Sequence, residues 1–337
     1  MANTDVPLRW GIIGASRIAD DFVIPAIKAS GGSEVVAVSS TTAPQRARDI
    51  AERHSVPHVL NSVAALVERD DVDAVYVGSA SDAHASQAME AARAGKHVFC
   101  DKPLALTTQE ARQVVDTCER AGVTLGINQQ FRGAATHRAI QNAVREGTIG
   151  EIRGVRVAFT VQLPPHATGW RTAGPAAGVA MDLTIHTADS LRAIVGSEVV
   201  SVAAFGANHG LCAPPHFDLL FGTMLFDNGI VASFHDAFTI GHSPSAIEVF
   251  GSEGSLVGTD VMRMSPGGTV VLRRGDEVSE LALRHHDLYE PAVAAFASAV
   301  RGVGAPAASG LDGVKALQIA EAAVDSANRG VIAAVGV

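Results

Sequence analysis

The stretch WGIIGASRIA, residues 10–19, decides how the first third of the chain folds. Its apolar run ends at Gly14 and an Ala-rich helical run begins directly after it, so the pattern passes from strand to helix across one tight turn. Set against a dinucleotide fingerprint, G-A-S-R-I-A has Gly14 at the turn. Ser16 then stands where a second glycine is usual, and Ala19 where the helix packs on the strand. Gly14, Ala15, Ser16, Arg17 and Ile18 are therefore candidate cofactor contacts, with main-chain amides at a helix N-terminus cradling a pyrophosphate. The alternative is a merely structural turn; the βαβ setting favours the cofactor.

Outward from this turn, LRWGII, EVVAVS, DAVYVG, KHVFC and VTLGI read as strands, and residues 17–30, 43–54, 82–94 and 107–120 as the helices between them. Strands apolar on both faces and joined by helices belong to a parallel sheet covered on both sides. Residues 1–127 are thus expected to form a dinucleotide-binding Rossmann domain. Residues 128–337 read differently, as a second α/β domain for substrate binding and oligomerisation. Helices are expected at 134–146, 178–195, 288–301 and 309–326, and a long strand at 151–163. The turns DNG (227–229), GSEG (251–254) and PGG (266–268) imply hairpins and a predominantly antiparallel sheet.

A length of 337 residues suits two domains. The formal charge of −9, from 35 acidic and 26 basic residues, argues against nucleic acid or another polyanion as partner. Cys100, Cys118 and Cys212 are isolated and lack metal-ligand spacing, which suggests a reducing compartment. The opening MANTDVPLRW has no basic segment leading into an apolar one, and no uncharged stretch is long enough to cross a bilayer, so a cytoplasmic protein without membrane contact is expected.

The second strand tests the ribose end of the cofactor. An NAD-preferring site usually presents a carboxylate there, but this chain has Ser39, Ser40, Thr41, Thr42 and Arg46, and no acid before Asp49. Hydroxyls and a guanidinium suit a 2′-phosphate, so NADP is expected, with NAD possible. The alternative makes Arg46 a solvated helix residue and the serines helix caps. Ser79, Ser81 and Asp82 follow the third strand, where they could cap the next helix while lining the cofactor's path. His84 is either a further contact or a surface residue.

Only four lysines occur, and Lys102 is fixed between Asp101 and Pro103 just beyond a strand, at the edge of the expected nucleotide crevice. An ammonium there could polarise a substrate carbonyl and stabilise the alkoxide formed as hydride arrives. Pro103 restricts the backbone and permits a cis peptide. A surface salt bridge with Asp101 is the plainer alternative. In MDLTIHTAD, residues 181–189, Asp182, His186 and Asp189 share a helical face. His186 is the candidate for exchanging the substrate's proton, with Asp182 as its positioning partner and Asp189 structural. A metal is not expected, because nothing supplies a third ligand.

GASRIA, HVFCDKPLA, WRTAGPAAG before MDLTIHTAD, and VFGSEGSLVG (249–258) together resemble the glucose-fructose oxidoreductase and inositol dehydrogenase family over nearly the whole chain. The resemblance implies an open sheet in the second domain. It places the catalytic lysine of an E-K-P motif at Lys102, and the family's Asp and His pair at Asp182 and His186. It further implies Trp170 and Arg171 near the cofactor, Asp101, Lys102 and Asn128 along its path, and Ser40, Thr41 and Arg46 as a phosphate pocket. The chain departs from the family at Asp101, where Glu is more frequent, in NQQFR (128–132), and at Val179 and Ala180, where glycine is common. The implied activity is hydride transfer to or from a sugar or related polyol, in a homo-oligomer. An inositol or sugar-alcohol dehydrogenase, and a non-catalytic NADP-binding metabolite sensor, are the alternatives.

Overall fold

The computed structural model describes residues 6–336. They fall into two compact units: residues 6–133 with Tyr289–Val314, and Ala134–Leu288 with residues 315–336. The division comes at residue 133 rather than 127, and the return of 289–314 to the first unit is absent from the sequence reading.

The first unit runs β1 (Leu8–Ile13), α1 (Ile24–Ala29), β2 (Ser33–Ser39), α2 (Pro44–His54), β3 (His58–Leu60), α3 (Val63–Val67), β4 (Ala74–Val77), α4 (His84–Arg93), β5 (His97–Asp101), α5 (Thr108–Ala121) and β6 (Leu125–Asn128). Its sheet has the order β3-β2-β1-β4-β5-β6, all parallel. The order reverses between β1 and β4, the place where an open α/β sheet leaves a crevice at its strand ends. The sequence reading lacks β3 and α3, which are too short for a periodic signal. Helix ends follow local chemistry. Thr107 accepts from the Glu110 amide at the start of α5, and Gly122, at φ 67°, ends that helix. At the core, Trp10 and Phe99 pack with Phe296 of the returning segment, with centroids 5.2 Å apart for Trp10–Phe296 and for Phe99–Phe296. Burying each such ring contributes roughly 1.5–3 kcal/mol.

The second unit runs α6 (Ala135–Arg145), β7 (Ile152–Thr160), α7 (Ile185–Val195), β8 (Val199–Ala207), β9 (Leu219–Phe226), β10 (Val231–Ala237), β11 (Ala246–Gly251), β12 (Ser255–Thr259), β13 (Thr269–Arg274) and β14 (Glu277–Glu280). After α8 (Glu290–Val300), which belongs to the first unit, come α9 (Gly310–Arg329) and β15 (Ala333–Ala334). The sheet order is β14-β13-β12-β11-β7-β10-β9-β8-β15, antiparallel throughout except for β7 beside β10. The expected turns close the β9–β10 and β11–β12 hairpins, and PGG joins β12 to β13. Along β9 exposure alternates, which buries Leu220, Met224 and Phe226. Helices α6 and α7 pack on the sheet. The helix expected over 178–195 opens with a π-helical turn at Ala180–Thr184 before α7 begins. Among the described residues no helix is long and apolar enough to cross a membrane.

Candidate active site

At the exit of β1, Gly14 has φ +99°, and a Cβ there would lie 2.6 Å from the Ser79 backbone. Only glycine lets the turn sit against the end of β4. Ala15 is buried, Ser16 accepts from the Ala19 amide at 3.1 Å, and Arg17 is exposed and paired with Asp21 at 2.8 Å. Ser40 accepts from the Ala43 amide at 3.0 Å, so its oxygen shapes the turn into α2. Thr41 and Arg46 are exposed. A cavity of about 770 Å3 beside this turn is lined by Thr42, Arg46, Arg48, Arg53 and Asp20, among others. Arg48 is tied to Gln45 and Arg53 to Asp20, whereas Arg46 has no hydrogen-bond or ion-pair partner among the described residues. The cavity's three arginines outnumber its two carboxylates, Asp20 and Asp49, and Asp20 is already paired with Arg53, which leaves a positive balance suited to a dinucleotide carrying a 2′-phosphate.

Lys102 follows directly on β5. Its amide donates to Asp101 Oδ1 at 3.1 Å, and Asn128 Nδ2 donates to the same oxygen at 3.2 Å. Asn128 thus braces the Lys102 turn from β6. Asp101 is part-exposed as a residue, but its carboxyl is packed deeply among protein atoms. Burial pushes that carboxyl above the usual range, against the opposing charges of His84 and Lys102. Burial, and then the charge of Asp101, likewise drives the Tyr76 phenol well above its usual value. The Lys102–Pro103 peptide is cis.

His84 is 2% exposed, with Nδ1 2.7 Å from the Pro103 carbonyl oxygen and Nε2 3.2 Å from that of Ser79. It is neither a surface residue nor turned outward toward a ligand. Ser79 directs its hydroxyl to Gln87 at 2.5 Å. Ser81 begins a short 3-10 turn ahead of α4, and neither turn nor helix has a side-chain cap, so the capping expected of Ser79, Ser81 and Asp82 does not form.

In the second unit, Asp182 lies on the π-helical turn and His186 on α7, exposed by 7% and 4%. Arg171 Nε donates to Asp182 Oδ2 at 2.8 Å, and its guanidinium stands over the Trp170 ring, 4.4 Å from the centroid. The carboxylate expected to support His186 therefore also anchors Arg171. His186 packs near Phe159, with centroids 6.3 Å apart, and Asp189 is buried. Sequence reasoning missed Asp236 of β10, which is fully buried beneath α7 and accepts from Thr187 Oγ at 2.8 Å. Thr184 faces the same carboxyl without reaching hydrogen-bond geometry. Burial pushes this carboxyl up to about 7, against the hydroxyls of Thr184 and Thr187. Its signal was an acid at an inward position of an alternating strand. Among the described residues no group of three or more His, Cys, Asp or Glu is arranged to hold a metal.

Residues 8–129 match the family described as "Oxidoreductase family, NAD-binding Rossmann fold", and residues 141–335 its "C-terminal alpha/beta domain". A 1,5-anhydro-D-fructose reductase from Ensifer adhaerens is 45% identical over 324 residues, covering 96% of this chain and 97% of that protein. A myo-inositol 2-dehydrogenase from Thermotoga maritima is 30% identical, covering 95% and 96%. A 3-ketoreductase from Actinomadura kijaniata, solved with TDP-benzene and NADP, superposes with a TM-score of 0.81 at 28% identity, covering 94% and 96%.

Proposed function

Because the chain belongs to the Gfo/Idh/MocA family and is an NAD(P)-dependent oxidoreductase acting on CH–OH and carbonyl groups, we propose that it reduces a keto or aldehydo sugar with NADPH, with 1,5-anhydro-D-fructose as substrate. The observation that carries the reading is the anchoring of Lys102, the residue that leaves β5 with its amide fixed on Asp101. Similarity to the Ensifer adhaerens reductase across nearly the whole chain supports the substrate. The Gly14–Ile18 turn would hold the pyrophosphate, Thr41 and Arg46 the 2′-phosphate, and Ser79, Ser81, Trp170 and Arg171 would line the rest. When bound, NADPH supplies the hydride.

Lys102 polarises the carbonyl oxygen and holds the negative charge that develops on it. His186 is the second unit's candidate for exchanging the substrate's proton, giving it in reduction and taking it in oxidation. Asp182, one turn before His186, keeps Arg171 in place. The three buried thiols suit a reducing cytoplasm, and the open sheet face suits a homo-oligomer.

The test is the loss of NADPH absorbance with purified protein and 1,5-anhydro-D-fructose, run beside NADH. Saturable turnover with NADPH preferred supports the reading. Inactivity toward this sugar, with NAD(P)+ reduction by myo-inositol instead, would move the assignment to an inositol dehydrogenase. Tight NADPH binding with no turnover on any carbonyl or alcohol would make the protein a sensor.

A further inference from the structure

We propose that His84 is held as a doubly protonated imidazolium that straps the turn after β4 to the turn after β5, and that it is thereby a positioning residue for Lys102. The proposal rests on the reading of Lys102 given above. Both ring nitrogens of the buried imidazole face main-chain carbonyl oxygens, that of Pro103 at 2.7 Å and that of Ser79 at 3.2 Å. A carbonyl oxygen only accepts, and a neutral imidazole carries one N–H. Either neutral tautomer would leave a ring lone pair directed at an oxygen lone pair inside the protein, where an unmade hydrogen bond is costly. A second proton satisfies both carbonyls at once.

A buried cation needs a counter-charge, and the cluster contains one. The deeply packed Asp101 carboxyl feels the charge of His84 before that of Lys102. Each ion offsets part of the desolvation of the other, and Asp101 Oδ1 accepts from both the Asn128 amide and the Lys102 main-chain amide.

The strap joins two functional segments. Ser79 is the residue against which Gly14 makes its close approach, so the carbonyl that His84 holds belongs to the floor of the dinucleotide turn. The other carbonyl belongs to Pro103, next to the lysine. β4 and β5 are paired in parallel register up to Val77 and Cys100, and the imidazolium continues that connection where the sheet's own hydrogen bonds end. Lys102 is thus fixed from behind by Asp101 and Asn128, and from the side by the ring.

The test reads the ring directly, by 15N spectra of the full-length protein at neutral pH, with the His84 signals identified by their loss in His84→Gln. Two protonated-type nitrogens are expected; one protonated and one bare nitrogen would overturn the proposal. In parallel, His84→Gln should lower kcat roughly 10- to 100-fold while KM for NADPH rises less, within about tenfold, because Lys102 loses its aim whereas the Ser79 backbone stays packed against Gly14. An unchanged kcat in a folded variant would overturn the positioning role. Lys102→Met separates the two readings: wild-type turnover in that variant removes the catalytic lysine itself, whereas the nitrogen spectrum of His84 stands or falls without any turnover measurement.

Discussion

Arg46 is the side chain whose removal says most about the cofactor. It stands in a cavity where Arg48 and Arg53 are already tied to Gln45 and Asp20, so its guanidinium is the one left to meet a phosphate. A charged hydrogen bond contributes about 1.5–3 kcal/mol. Arg46→Ala should therefore weaken NADPH binding roughly 10- to 100-fold and leave NADH binding within about twofold. Nucleotide fluorescence titrations with the two cofactors measure this; equal losses for both would remove the phosphate contact. Arg46 was legible as a candidate because a strand end without a carboxylate is visible in the sequence itself. Lys102 was legible as a candidate for a similar reason, as a rare residue at an abrupt strand exit. The surroundings of both were not. Ser40's bond to the Ala43 amide is local, in keeping with the alternative that the serines serve the start of the helix, but that His84 bridges two carbonyls and that Asn128 braces Asp101 depend on contacts between segments distant in sequence, which no local spacing encodes.

Between residues and fold, α7 and the π-helical turn before it form the element that presents Asp182 and His186, and Asp236 sits beneath them. The period of apolar residues over 178–195 announced a helix, but not the wider turn, since one extra residue in a loop of helix leaves the pattern nearly unchanged. Asp236 gives this element a pH dependence of a definite sign. Its folded carboxyl titrates at about 7 against an ordinary value of 3.8, so between those values the folded state keeps a proton that the unfolded state has lost. The stability it contributes is present below pH 3.8 and lost as pH rises through about 7, a total of roughly 4 kcal/mol. Asp236→Asn keeps the shape without the ionisation, so the variant should gain on the wild type as pH rises from 4 to 8, by up to roughly that amount. Urea unfolding of both proteins across this range is the check, and a difference that stays constant with pH would refute it. Asp312 acts in the opposite sense. Burial would raise its carboxyl, but Arg132 and the Ser309 amide and hydroxyl outweigh burial and hold it well below the usual range, so its contribution is lost only toward acid.

At the scale of the whole molecule, the two-part division and both sheet classes could be read from strand and turn patterns, because buried parallel strands and hairpins have different textures. The return of Tyr289–Val314 to the first unit could not, since α8 looks like any apolar helix until Phe296 is seen against Trp10 and Phe99. Among the described residues, the second sheet also carries an exposed apolar face. Phe205 pairs with Phe221 across β8 and β9, and Leu225 with Val231 across β9 and β10. These four side chains are 40–80% exposed, with Phe205 the most open at 80%. Farther along the same sheet, the Arg156 guanidinium meets the Glu248 carboxylate at 2.6 Å, so the face carries a neutralised pair beside an apolar field. Adjacent exposed aromatic and aliphatic residues on a sheet face are a surface that water disfavours and a second copy can cover. A stable interface buries about 1,200–2,000 Å2, and strands as long as β8, β9 and β10 can supply it. Sedimentation of the wild type at micromolar concentration should give a dimer or a larger assembly, and Phe205→Glu with Phe221→Glu should reduce its mass while leaving the kcat of each chain nearly unchanged. A wild type that sediments as a monomer would assign this face to another role.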